Sequence, residues 1–295
     1  MWVRVLGSAA GGGFPQWNCG CPRCAAARDG SRPCLPRTQS SVAVSSDYRR
    51  WFLLNASPDV RAQIEAFPAL HPRGTRDSPI EAVLLTDGEL DHTIGLLLLR
   101  EADDLEVHAT RVVYETLSSG TSLLQTLRAY ANVEWCRVVT GQDVPLGGGL
   151  SYRAFDVLTS KPARFGTGDV GVVGYRISDR RTGRSLVYAP GAQELSPSVL
   201  DQMEGCDCLL FDGTCWQDDE LIRLGIAKKT SRDMGHLPIG GADGSLKQLA
   251  GLRIGRKIYI HINNTNPILL DDSPERRVVE ENGLEVAVDG LELEI

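Results

Sequence analysis

The stretch "EAVLLTDGELDHTIG", residues 81–95, decides how the rest of the chain is read. "EAVLLT" is an apolar run of strand length, and a helix-like segment begins near Asp91. Between them stand Asp87, Glu89, Asp91 and His92, at a strand end, where open α/β sheets place their ligands. Carboxylates and an imidazole gathered there suit a metal ion. The same acids also suit a helix N-terminus, with Asp91 as its cap, so other residues must decide.

Outward from this point, short apolar runs alternate with helix-like segments along the whole chain. Strands are predicted at 2–7, 41–46, 51–56, 81–86, 105–109, 151–157, 172–178, 185–189, 208–212, 257–262 and 284–288. Helices are predicted at 60–67, 91–101, 111–117, 121–131, 196–204, 218–224, 243–251 and 273–282. Ser196-Pro197 and Ser273-Pro274 are start signals, serine as cap and proline at the first helical position. The pattern is α/β, in a single domain over 1–295. "RRWFLLNASPDV" (49–60) and "GRSLVYAPGAQEL" (183–195) both run from a polar edge through an apolar strand and a small-residue turn into a helix. Two related halves, each a sheet with helices outside it, would bring their loops to one shared edge.

Bulk properties narrow the function. A net charge of −7 over 295 residues argues against nucleic acid or an anionic membrane surface as main partner. No apolar segment approaches the roughly 18 residues of a membrane span. The start, "MWVRVLGSAAGGGFPQ", is too short in apolar residues for a signal peptide and is broken by Arg4, so a cytoplasmic location is expected. Of eight cysteines, Cys34, Cys136, Cys206, Cys208 and Cys215 are scattered and read as small buried hydrophobes. Cys19, Cys21 and Cys24 are packed into "NCGCPRC" within a polar loop at about 17–25. Thiolates so spaced converge on one tetrahedral ion, which points to a structural zinc. Its fourth ligand is either Cys34 or a side chain from the carboxyl-terminal part of the chain.

Of the five histidines, His236 in "DMGHLPIGG" and His261 in "YIHINNTNP" stand in loop or strand-end contexts, and Asp212 ends the apolar run "CLLFD". His261 interrupts an apolar strand and precedes Asn263, Asn264, Thr265 and Asn266. His71, before a proline, and His108, mid-strand, are expected at the surface. The segment at 86–92 resembles the metallo-β-lactamase superfamily, whose motif is threonine followed by His-x-His-x-Asp-His. The chain as a whole resembles the PqqB family of pyrroloquinoline quinone (PQQ) biosynthesis. The resemblance is carried by "VLGSAAGGGFPQWNCGCPRC", "RTQSSVAVS", "LNASPDVRAQ", "LLTDGELDHTIGLLLLRE", "MGHLPIGG" and "YIHINNTNPIL".

The resemblance implies an αββα sandwich, two mixed sheets flanked by helices. It places Thr86 at the motif threonine, Asp87 and Glu89 where the superfamily has histidines, and Asp91 and His92 at matching positions. The superfamily's later histidine falls near Thr159 or Ser160, and its bridging aspartate near Pro190-Gly191; neither is present. His261 matches the last histidine, and His236 a proton-donating one. Related phosphodiesterases complete their zinc site with a histidine where Asn264 stands. Losing so many ligands speaks against a two-zinc hydrolase. Asp91, His92 and His261 remain, the two-imidazole, one-carboxylate set of non-haem Fe(II) oxygenases.

The family implies iron- and O2-dependent hydroxylation of the tyrosine ring of a Glu-Tyr-derived precursor, with a homodimer formed near the cysteine loop. Glu89 or Asp212 would add or orient a ligand and His236 would move a proton, while Asn263, Asn264 and Asn266 are candidates for substrate contact. A carrier of PQQ or its precursor towards the periplasm, and a metal-dependent hydrolase, are the alternatives.

Overall fold

The computed structural model describes residues 1–165 and 171–295. Two seven-stranded sheets face each other. One holds β1 (Trp2–Gly7), β2 (Ser41–Ser45), β3 (Trp51–Leu54), β4 (Ile80–Leu84), β5 (Asp104–Thr110), β6 (Asn132–Val138) and β14 (Glu292–Glu294), in the order β14-β1-β2-β3-β4-β5-β6. The other holds β7 (Asp143–Pro145), β8 (Leu150–Asp156), β9 (Val173–Asp179), β10 (Ser185–Ala189), β11 (Cys208–Asp212), β12 (Arg256–Ile260) and β13 (Glu285–Val286), in sequential order. In each sheet an antiparallel meander passes into parallel strands, at β3–β4 and at β10–β11. This is the repeated half expected from the sequence, except that β14 crosses back to pair with β1.

Three apolar layers hold the sandwich. Val42, Phe52, Leu54 and Leu84 pack against Tyr152, Tyr175, Tyr188 and Ile258 between the sheets. On the outer faces, α2 (Val60–Glu65), α3 (Leu90–Thr93), α4 (Gly95–Leu98), α5 (Arg111–Glu115) and α6 (Leu123–Leu127) cover the first sheet. The second is covered by α7 (Pro197–Met203), α9 (Ser245–Ala250) and α10 (Pro274–Glu281), with α1 (Pro22–Asp29) and α8 (Glu220–Arg223) nearby. Strands β2, β3, β10 and β11 are buried on both faces, which is why β3, β10 and β11 carry continuous apolar runs. Ser196 and Ser273 do cap α7 and α10, accepting from the Val199 and Arg276 amides. Among the described residues no helix is long and apolar enough to cross a membrane.

The structure corrects several expectations. The helix predicted at 91–101 is two short helices, α3 and α4. Its cap position belongs to Glu89, which makes no side-chain cap bond, and Asp91 lies in the first turn. Gly95 sits against the β3–α2 turn so tightly that a Cβ there would lie 2.3 Å from the Ser57 carbonyl oxygen. His261 follows β12 instead of interrupting it. His108 is buried, because its face of β5 points into the sandwich at Tyr152.

Candidate metal centre

The carboxyl ends of β3, β4, β10, β11 and β12 meet along one edge, and the site is built from the residues that follow them. Asn55, in left-handed backbone just after β3, holds the turn after β4. Its Oδ1 accepts from the Thr86 amide and its Nδ2 donates to Thr86 Oγ1, both at 2.9 Å. Thr86 Oγ1 donates to the Asp87 carboxylate at 2.9 Å. Asp87 in turn accepts from His92 Nδ1 at 2.8 and 2.9 Å.

That contact keeps a proton on Nδ1 and leaves Nε2 as the nitrogen whose lone pair takes either a second proton or, in its place, a metal ion. His92 Nε2 is buried and has no hydrogen-bond partner. It faces Asp91 Oδ2 at 3.9 Å, and His261 Nε2 lies 3.3 Å from the same oxygen. One ligand atom each from Asp91, His92 and His261 falls within 4.8 Å of the others.

His261 reaches this point through a backbone φ of 58°, uncommon outside glycine, which turns the chain sharply after β12. Thr214 fixes its ring. Thr214 Oγ1 donates to Asp212 Oδ1 at 2.6 Å and accepts from His261 Nδ1 at 3.0 Å. His236 Nδ1 donates to Asp212 Oδ2 at 2.6 Å. All three imidazoles are therefore held at Nδ1, by Asp87, Thr214 and Asp212, and present Nε2.

Charge follows this arrangement. Burial works against protonating His92, but Asp87 and Asp91 overcome it and push the ring up to about 9. Burial would raise Asp87, yet the His92 cation holds it at about 2. Asp91 also lies below the usual carboxylate range, burial being outweighed by His92 and His261. Burial lowers His261. The site attracts a cation at Nε2, and a divalent metal fits the lone pair, the carboxylate and the burial together.

The surroundings form a cavity of about 800 Å³ lined by Gly11, Glu89, Lys161, Arg164, Lys229 and His236, among others. Gly11 leaves room for Asp91, whose Oδ2 would lie 3.2 Å from a Cβ there. Glu89 is turned from the ligand cluster and pairs with Lys161 at 2.7 Å and Arg164 at 3.1 Å. Asp212 is fully buried and can join His236 and His261 in a second ligand group. Thr159 lines the cavity, and Ser160 bonds Gln193.

Of the three asparagines expected to contact substrate, only Asn263 lines the cavity. Asn266 accepts from the Ile268 amide and donates to the Gly213 carbonyl oxygen, a local cap. Asn264 lies in the thiol cluster, where its amide is 3.2 Å from Cys24 Sγ and 3.8 Å from Cys21 Sγ. The sulfurs of Cys19, Cys21 and Cys24 converge within 4.8 Å. Cys34 does not join them; its sulfur contacts the Arg32 carbonyl oxygen at 3.6 Å. The fourth side of the cluster is thus Asn264, whose amide presents either its nitrogen or, after a flip, its oxygen.

Sequence reasoning missed Asp87 as the group that orients His92, Thr214 as the anchor of His261, and the three cations of the cavity wall. The hydroxyl two residues after Asp212, in "DGTC", was the only signal for Thr214.

Residues 50–262 match the beta-lactamase superfamily domain. Fold and site thus define a metallo-β-lactamase-type protein. A coenzyme PQQ synthesis protein B from Methylococcus capsulatus is 46% identical over 99% of both chains. The zinc-bound crystal structure of PqqB from Methylobacterium extorquens is 44% identical and covers 100% of both chains, with a TM-score of 0.89. A diphosphatase of the PhnP family shares the fold, at 21% identity and a TM-score of 0.71, covering 100% of this chain and 97% of its own. The chain belongs to the coenzyme PQQ synthesis protein B family.

Proposed function

We propose that the protein acts in PQQ biosynthesis as a mononuclear Fe(II)- and O2-dependent oxygenase that hydroxylates the tyrosine ring of a Glu-Tyr-derived precursor. The observation that carries this reading is the unpartnered, buried His92 Nε2 facing Asp91 and His261. Two imidazoles and one carboxylate leave positions open for O2 and substrate, as in non-haem iron oxygenases. When bound, iron supplies the activation of O2 that a protein side chain cannot.

The chain's own residues do the rest. Asp87 and Thr214 orient the two imidazole ligands. His236, tethered to Asp212, presents Nε2 to the cavity and carries a proton during rearomatisation of the ring. Lys161, Arg164 and Lys229 line the cavity and suit the carboxylates of a Glu-Tyr precursor. Glu89 neutralises part of that charge and holds Lys161 and Arg164 in place. The cysteine cluster holds zinc, with Asn264 on its fourth side. Beside it, Trp17 is 85% and Leu35 58% exposed, apolar surface that a homodimer formed at this loop would cover.

Inserting one oxygen atom of O2 into the ring reduces the other to water and consumes two electrons and two protons, so the test includes a reductant. The protein is loaded with Fe(II) without air, given a Glu-Tyr dipeptide, ascorbate and O2, and the product is followed by mass spectrometry. A gain of one oxygen, absent with His261→Ala, supports the hydroxylase. No gain with iron bound overturns it. Precursor binding that survives loss of the metal would then identify a carrier.

A further inference from the structure

A second group of ligating side chains lies outside the centre described above and shares no residue with it. Strands β5 and β6 are parallel, with Glu106 beside Glu134 and His108 beside Cys136. Side chains two apart share a face, and neighbours in register share it too, so these four form a square on one face of the sheet. Tyr152, on β8 of the opposite sheet, identifies that face as the inner one, its hydroxyl lying 3.0 Å from His108 Nδ1. On the other side of the ring, His108 Nε2 meets Glu106 Oε1 at 2.5 Å.

We infer that Glu106, His108 and Cys136 form a further metal site, for a borderline divalent transition ion of the zinc class. One ligand atom from each lies within 4.8 Å of the others. A carboxylate oxygen, an imidazole nitrogen and a thiolate are ligand types of tetrahedral zinc. The fourth position is left to water, because Glu106 and Cys136 are only half-buried beside the edge strand.

Tyr152 provides the supporting contact that metal-binding histidines usually have at their second nitrogen. With the ion bound, Nδ1–H donates to the Tyr152 oxygen and Nε2 faces the metal. Without it, the tyrosine hydroxyl donates to Nδ1 and Nε2–H donates to Glu106.

Cys136 holds the ion as its thiolate, and the displaced thiol proton passes to solution. Glu106 and Cys136 are only half-buried and Glu134 is exposed, so an ion can enter from the edge strand. Once bound, it ties the border of one sheet to the other through His108 and Tyr152.

The test uses the full chain with its cysteine loop loaded with zinc and the other centre disabled by His92→Ala. Co(II) is titrated in, and the near-ultraviolet thiolate-to-cobalt absorption is followed. The expected result is one equivalent of Co(II) with a thiolate band that Zn(II) displaces. Cys136→Ser should abolish the band, and Glu106→Gln should weaken binding about tenfold or more. A band that persists in Cys136→Ser, or no thiolate band at saturation, overturns the proposal. A second measurement needs no substitution at the site. Zn(II) should protect Cys136 from iodoacetamide, as located by peptide mass mapping, and a Cys136 that alkylates equally fast in saturating Zn(II) refutes the site.

Discussion

Replacing Asp87 by asparagine tests the central argument about the metal centre, because Asp87 orients a proposed ligand and is not one of the three. Asparagine keeps the shape and an oxygen able to accept from His92 Nδ1, but it removes the negative charge. The lost charge acts through contacts of 2.8 and 2.9 Å to a fully buried ring. Charge-assisted hydrogen bonds are roughly twice as strong as neutral ones, and supporting groups of this kind contribute about 10- to 100-fold to metal affinity. Asp87→Asn should therefore weaken metal binding by about 1.4–2.8 kcal/mol, at unchanged stoichiometry. Competition against a chromophoric chelator measures this directly, with any metal held by the cysteine loop counted separately. An affinity within twofold of the parent would refute the claim that Asp87 sets the ring. So would a loss as complete as that of His92→Ala, which would make Asp87 a ligand.

Further expectations concern other parts of the molecule. Cys21→Ser should release one zinc per chain by elemental analysis while the Asp91–His92–His261 centre still takes up a metal. Gly95→Ala forces a Cβ to within 2.3 Å of the Ser57 carbonyl oxygen and 2.6 Å of Ala56, and should cost about 1–3 kcal/mol in urea unfolding. In metal-free protein His92 is raised from 6.5 to about 9. Its contribution is complete below the unfolded value and disappears as pH rises through about 9, so stability should fall across that window. The drop is about 3 kcal/mol at most and should shrink in Asp87→Asn; a flat profile for the parent chain would show that Asp87 and Asp91 do not stabilise the charged ring.

How far the sequence reveals this molecule depends on where each residue's neighbours come from. The doubly buried strands β3, β10 and β11 stand out because their apolar runs are continuous, and the repetition at β3 and β10 discloses the two halves. Strands β6, β7 and β14 lie near or at sheet edges, carry charged residues between apolar ones, and give no apolar run. His108 was misplaced because the apolar face of β5 packs under helices, whereas its polar face looks inward to Tyr152. Asp91, His92 and His261 were legible as ligand types at strand ends. The service of Asp87 to His92, and of Thr214 to His261, arises only when separate strand ends converge.

The left-handed turn at His261 has a consequence for how the protein depends on metal supply. Only two residues lie between His261 and Asn264, so the turn that aims the imidazole also carries the amide that closes the thiol cluster. With zinc held there, the turn is pinned at both ends; without it, the far end is released while every ligand of the other centre is intact. On the proposed function, a cell starved of zinc would then show the deficiency as loss of the oxygenase reaction, and feeding it more iron would not restore it.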